Sequence, residues 1–233
     1  MLVLSENISY FKFYRSYRLN LSVKIGLTGG PGCGKSAAAE IFRTLPHWSV
    51  LDADRICHEI YAESYSPWCT LLEEHFGKEA ITADGVPDRN FIAQKIFSDE
   101  QERLWLNSVL HPEIRRRIEE KIVCGSTRFI MIEVPLLFES SWEKSMDATV
   151  AIWSAPEIQM KRLLSRQWTK EHALARIKTQ FPAEKKLALA DYGLINNGTL
   201  QDLEIQCRQL AADLEKNIKS HQYKIIATGE WIK

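Results

Sequence analysis

From Val23 to Phe42 the chain reads VKIGLTGGPGCGKSAAAEIF, and the order of its three parts decides the fold. VKIGLT is a short apolar run of the kind that forms a buried strand. AAAEIF is a run of helix formers. Between them GGPGCGKS, Gly29 to Ser36, satisfies GxxxxGK[ST] with Gly29, Gly34, Lys35 and Ser36 in the required places. A strand that passes through glycines straight into a helix gathers backbone N–H groups and the positive end of the helix around one phosphate-sized space. In that setting Lys35 reaches the β and γ oxygens of a nucleoside triphosphate, and the Ser36 hydroxyl serves a magnesium ion.

Outward from this cradle, apolar runs bounded by turn residues predict further strands at Val50 to Leu51, Phe129 to Val134, Ala148 to Trp153 and Leu194 to Ile195, after a first one at Val23 to Thr28. Helical patterns lie between them. Such alternation predicts an α/β protein, a P-loop NTPase-type parallel sheet flanked by helices. Residues 66–124 read instead as helix after helix: Ser66 and Pro67 make a cap and first-turn proline, and Ile114, Ile118 and Ile122 make one apolar stripe. This is a helical insertion between sheet strands. A second polar helical stretch, Pro156 to Phe181, carries Arg162, Arg166 and Arg176 and stops at Pro182. Thr199 and Asp202 form a capping-box pattern opening a helix with the stripe Leu203, Leu210, Leu214 and Ile218.

Composition narrows the class. With 233 residues, 45% apolar and 26% charged, the chain can bury a full core. Thirty basic residues balance thirty acidic ones, so no global field favours nucleic acid or an anionic membrane, and any anion site must be local. The cysteines at 33, 57, 69, 124 and 207 are odd in number and include no CxxC pair, which argues against a disulfide framework and a zinc site and fits a reducing cytoplasm. No run approaches the roughly 18–20 apolar residues of a membrane span. Residues 1–22 have no apolar core followed by a small-residue cleavage site, so they do not read as a secretory signal.

For transfer to an alcohol, a carboxylate must orient the hydroxyl and take its proton. SVLDAD places Asp52 and Asp54 at the carboxyl edge of the sheet, where open α/β folds bind ligands. As alternating strand residues the two point to opposite sides, so one faces the acceptor. The alternative is that both cap the helix RICHEIY. Arg162 and Arg166, spaced i, i+4 on one helical face, suit phosphate through their planar forks and would form a lid. The alternative is a solvated face.

The combination resembles dephospho-coenzyme A kinase. The matching segments are KIGLTGGPGCGKS, VLDAD, the His111–Pro112 pair in VLHPEI, EVPLLFES, RLLSR with ARIKTQ, and ADYGLINNGTL, together spanning roughly residues 23–215. The resemblance implies a kinase domain over residues 23–233, with an acceptor-binding insertion at about 66–124 and a lid at about 156–182. Its implied reaction is ATP-dependent phosphorylation of the 3′-hydroxyl of dephospho-coenzyme A, the last step to coenzyme A. Gly32, Cys33, Gly34, Lys35, Ser36 and Ala37 would line the ATP phosphates. Asp54 would be the base, Lys35 and Arg162 would stabilise the moving phosphoryl group, and Arg166 would sit beside them. Asp52, His111, Glu133 and Pro135 fall near the acceptor or its supporting wall. His111 could instead satisfy a helix end before Pro112, and Glu133 could steer magnesium-bound water. Asn196 or Asn197 would lie at the edge of the adenine pocket. Mg2+ and ATP are the implied cofactor and co-substrate. The implied partners are small molecules, without nucleic acid or membrane, in a monomer or small homo-oligomer.

Three features depart from the family pattern. Ala37 replaces a threonine or serine, Gln167 and Trp168 stand where an acidic residue and a glycine are more usual, and residues 1–22 precede the usual start, so they are either a true arm or the result of a start codon set too early. Two other readings compete. A shikimate-kinase-like enzyme would show a glycine triplet where this chain has EVPLLFE, and a guanine-nucleotide switch would carry NKxD, which the chain lacks.

Overall fold

A computed structural model describes residues 22–228, with side chains as far as residue 217. The chain divides into two compact units, one made of the chain up to Leu51 together with Thr127 onward, the other running from Asp52 to Ser126.

The first unit holds a five-stranded sheet of β1 (Val23–Gly29), β2 (Trp48–Asp52), β3 (Phe129–Glu133), β4 (Ala148–Trp153) and β5 (Tyr192–Ile195), in the order β2-β3-β1-β4-β5. β1 lies parallel to β3 and β4, with Ile25 opposite Met131 and Ala148, and β4 lies parallel to β5. All five predicted strands are present. β2 starts two residues before Val50, at Trp48, because the Trp48 ring packs between Phe42 (4.9 Å) and Phe129 (5.1 Å). The adjoining polar Ser49 is accommodated by a 2.8 Å hydrogen bond to Thr127.

Val23, Ile25 and Leu27 alternate onto one face of the sheet. There they meet Ala38, Ala39 and Phe42 of α1 (Lys35–Arg43) and Leu203, Cys207, Leu210 and Leu214, which lie on the helix Leu200–Thr228. Each fully buried aliphatic or aromatic side chain here contributes about 1.5–3 kcal/mol. The cap of the Leu200–Thr228 helix is as predicted: Asp202 accepts from the Thr199 N–H at 2.8 Å, and Thr199 Oγ1 accepts from the Asp202 N–H at 3.2 Å. Ile218 of the predicted stripe lies outside the residues with described side chains, as residues 1–21 of the predicted arm lie outside the described chain; Ser22 Oγ donates to Thr127 O at 2.8 Å.

The second unit contains α2 (Ala53–Ala62), α3 (Pro67–Phe76), α4 (Arg89–Ser98) and α5 (Glu100–Cys124). Ser66 caps α3 through the Cys69 N–H, while Asp88 and Asp99 cap α4 and α5. The helical region therefore opens at Ala53, well before residue 66. A second correction concerns Pro112, read as a possible helix boundary but lying inside α5. Proline removes one hydrogen bond and disfavours helix before it. The uninterrupted buried stripe Leu106, Leu110, Ile114, Ile118 and Ile122 outweighs that cost.

The polar stretch after β4 is also not one helix. α6 (Pro156–Ser165) ends before Gln167, whose φ of 63° no α-helix accepts, and Thr169 then caps α7 (Lys170–Lys178) through the His172 N–H. After Pro182 comes α8 (Ala183–Leu189), which the sequence reading did not separate, followed by β5 and α9 (Leu200–Thr228). No described helix is long and apolar enough to cross a membrane.

Candidate active site

The loop after β1 can take its path only with glycine at two points. Gly32 has φ 76°, and a Cβ there would lie 2.7 Å from the Gln159 carbonyl oxygen; Gly34 has φ 100°, and a Cβ there would lie 2.2 Å from Asn196 Nδ2. Both approaches are closer than any side-chain carbon tolerates, and both positions are left-handed. Because Gly34 supplies no side-chain cap to α1, the first-turn N–H groups stay available to an anion. Lys35 Nζ turns back on the loop and donates to Gly29 O at 3.0 Å. Ser36 Oγ donates to Glu133 Oε1 at 3.3 Å. Glu133 ends β3, beside Leu27 of β1 in the sheet register, and is 8% exposed. This contact sets Glu133, expected either near the acceptor wall or steering magnesium-bound water, beside Ser36 of the loop.

A polar brace holds the loop from behind. Asn196 Nδ2 donates to Cys33 O at 2.8 Å, and the buried Ser154 hydroxyl lies 2.6 Å from Asn196 O and 3.2 Å from Cys33 O. Arg162 reaches Gly32 O (3.4 Å), Ser154 Oγ (2.9 Å) and Asn196 Oδ1 (3.2 Å). Gln159 Nε2 donates to Ser154 O at 2.7 Å. Asn196, expected at the edge of an adenine pocket, is thus a loop support, and Asn197 accepts the Ala155 N–H at the start of α6. Arg166 is the exposed C-cap residue of α6, one turn beyond Arg162. Ala37 follows Ser36 in the first turn of α1, and burial pushes the Cys33 thiol pKa up.

Pro135 O accepts from Thr28 Oγ1 at 3.0 Å and from Lys186 Nζ. Lys186 is wholly buried, pairs with Glu139 Oε1 at 3.0 Å and reaches Gln180 Oε1 at 3.1 Å. Burial pushes its pKa down; Glu139 opposes this, and the charge of Lys35 adds to it. Nothing in EKKLAL marks Lys186 as buried, nor Ser154 and Gln159 as loop braces.

In the second unit, Asp52 and Asp54 do not alternate along a strand. β2 ends at Asp52, whose Oδ1 accepts from the N–H groups of Asp54 (2.9 Å) and Arg55 (3.1 Å), making it the cap of α2. Asp54 stands in the first turn of α2 and is exposed. Asp52 therefore caps α2, as the alternative reading had it. His111 sits mid-helix in α5, its pKa pushed down by burial and then by the charge of Arg115.

Phosphoryl transfer asks little covalent chemistry of a protein and a great deal of charge placement. A glycine loop opening a helix at the end of a central parallel strand, with a lysine, a hydroxyl–carboxylate pair and an arginine drawn onto it, supplies that placement for the terminal phosphates of a nucleotide, and defines a phosphotransferase of the P-loop class. Within that class the family is specific. The family model for dephospho-CoA kinase matches residues 23–202, and the chain belongs to the dephospho-CoA kinase family. The dephospho-CoA kinase of Syntrophotalea carbinolica is 38% identical over 199 residues, 84% of this chain and 93% of that one. Among solved structures, TT1252 from Thermus thermophilus has a TM-score of 0.72 at 31% identity, and the dephospho-CoA kinase from Campylobacter jejuni a TM-score of 0.61 at 26% identity; each comparison covers 83% of this chain and 98% of the other. The shikimate-kinase-like and switch readings give way to this family.

Proposed function

We propose that the chain transfers the γ-phosphoryl group of ATP to the 3′-hydroxyl of dephospho-coenzyme A. The observation that carries the reading is the cradle itself, a loop open to phosphate with Lys35 turned back on it and Arg162 folded onto it, in a chain of the dephospho-CoA kinase family. The amides from Gly29 to Ala37 hold the ATP phosphates. Lys35 and Arg162 stabilise charge on the moving group, with Arg166 supplied from the end of α6. Asp54 takes the proton of the 3′-hydroxyl as that oxygen bonds to the γ-phosphorus and the bond from phosphorus to the bridging oxygen breaks, releasing ADP. His111 and Pro135 are supporting groups for the acceptor.

The Ser36 hydroxyl and the Glu133 carboxylate fit Mg2+, a hard ion that takes one or two protein oxygens and keeps its water and phosphate ligands. When bound, it would neutralise charge on the β and γ oxygens. The segment of α6 and α7 acts as a lid that excludes water. Five free thiols suit a cytoplasmic chain, and its partners are small molecules, whether it acts as a monomer or a small homo-oligomer.

The test is ATP turnover with dephospho-coenzyme A, adenosine, shikimate or no acceptor. Strong dependence on dephospho-coenzyme A is expected; equal turnover without it would sink the reading.

A further inference from the structure

Asp54, Cys57, His58 and Tyr61, three and four residues apart, share one face of α2, beside the buried Ala53, Ile56 and Ile60. Over its far end stands Arg89, the first residue of α4. Its Nη2 donates to His58 O at 3.3 Å, and its guanidinium carbon lies 5.3 Å from the centre of the Tyr61 ring. Four other arginines of this unit differ: Arg55 pairs with Glu59, Arg103 with Glu100, Arg116 with Glu113, and Arg117 with Glu63. Among the described residues Arg89 pairs with no carboxylate. It is exposed, stands over an aromatic ring, and spends one of five N–H donors on a backbone carbonyl. The Cys57 thiol marks the setting: burial raises its pKa, the charge of Asp54 adds to that, and the charge of Arg89 opposes it, so both charges act across the same helix face.

We infer that Arg89 grips the diphosphate of the nucleotide acceptor whose 3′-hydroxyl meets Asp54, an inference that rests on the kinase reading above. Asp54 and Tyr61 are two turns apart, about 10 Å along the axis. In a dinucleotide-like acceptor such as dephospho-coenzyme A, one sugar separates the 3′-hydroxyl from the 5′-diphosphate, so a single helix face offers a carboxylate for the first and a cation for the second. A guanidinium fork matches two phosphate oxygens at once, and the contacts with the Tyr61 ring and His58 O order it before the ligand arrives.

The test is calorimetric binding of dephospho-coenzyme A and of adenosine, which has no diphosphate, to the full-length wild type, Arg89→Gln and Arg89→Lys, with the KM for ATP measured alongside. Arg89→Gln should weaken dephospho-coenzyme A about ten- to a hundredfold, with adenosine binding and the KM for ATP changed less than about threefold. Arg89→Lys keeps the charge without the fork and should recover part of the loss. The inference is overturned if folded Arg89→Gln binds dephospho-coenzyme A as well as wild type, if adenosine weakens equally, or if the loss appears in ATP instead. Binding needs no turnover, so a wild type that bound dephospho-coenzyme A without phosphorylating it would count against the kinase reading alone.

Discussion

Replacing Lys186 by methionine tests how the loop after Glu133 is held. Methionine keeps most of the side chain's length and volume, so the cavity left is small and the loss is electrostatic. The ammonium is removed from Glu139 Oε1 (3.0 Å), Gln180 Oε1 (3.1 Å) and Pro135 O. Glu139, whose side chain is 15% exposed, keeps the Phe181 N–H at 2.7 Å on Oε1, while its buried Oε2 has no hydrogen-bond partner. Removing one member of a buried ion pair in this way costs about 3–5 kcal/mol. Against a total stability of about 5–15 kcal/mol that is a large fraction, and at this chain length it lowers Tm by about 6–20 °C. Converting Glu139 to glutamine as well removes the stranded charge, so Lys186→Met/Glu139→Gln should recover about 1–3 kcal/mol of the single variant's loss, the coupling of a contacting pair. Urea unfolding of the wild type, both single variants and the double variant gives that cycle. A single variant within about 1 kcal/mol of wild type, well below the cost of a stranded buried charge, would refute the argument.

Four further outcomes are expected. Asp54→Asn should lower turnover by roughly 10²–10⁴-fold with ATP binding little changed, whereas Asp52→Asn keeps the cap of α2 and Asp52→Ala loses about 1 kcal/mol of stability; steady-state kinetics with thermal unfolding separates these effects. Glu133→Gln should raise the magnesium concentration needed for half-maximal activity about tenfold or more, and an unchanged magnesium titration would remove Glu133 from the ion's surroundings. Gln167→Gly relieves the left-handed backbone at φ 63° and should stabilise by about 0.5–1 kcal/mol, read as a higher Tm. Glu113 is held down to about 2 from 4.5, chiefly by the hydrogen bond from Arg116, with burial opposing and Arg117 assisting. Its folded value lies below its unfolded one, so the unfolded chain takes up the proton first and stability is lost as pH falls from 4.5 toward 2. Because Arg116 is half-exposed, the contribution is about 1 kcal/mol; urea midpoints for Glu113→Gln should fall less steeply with acid, and a slope equal to wild type would discard the assignment.

Features that neighbouring residues decide between themselves are legible without the fold. The cradle is legible because strand, glycine turn and helix follow one another without interruption, so Lys35 and Ser36 have one place to go. Caps are local in the same sense: Ser66 to Cys69 and Thr199 to Asp202 each close within one turn. The buried stripe of α5 is a matter of spacing alone. The tertiary structure decided where distant chain meets the loop. Asn196 and Cys33 are 163 residues apart, and they touch because β4 pairs with β1 and β5 with β4, which carries Ser154 and Asn196 to the edge where the loop turns. Whether Pro112 ends a helix, whether Asp54 continues a strand, and whether Lys186 faces water or a carboxylate are settled the same way. Each local preference amounts to a few kcal/mol at most, and the area buried by packing outweighs it.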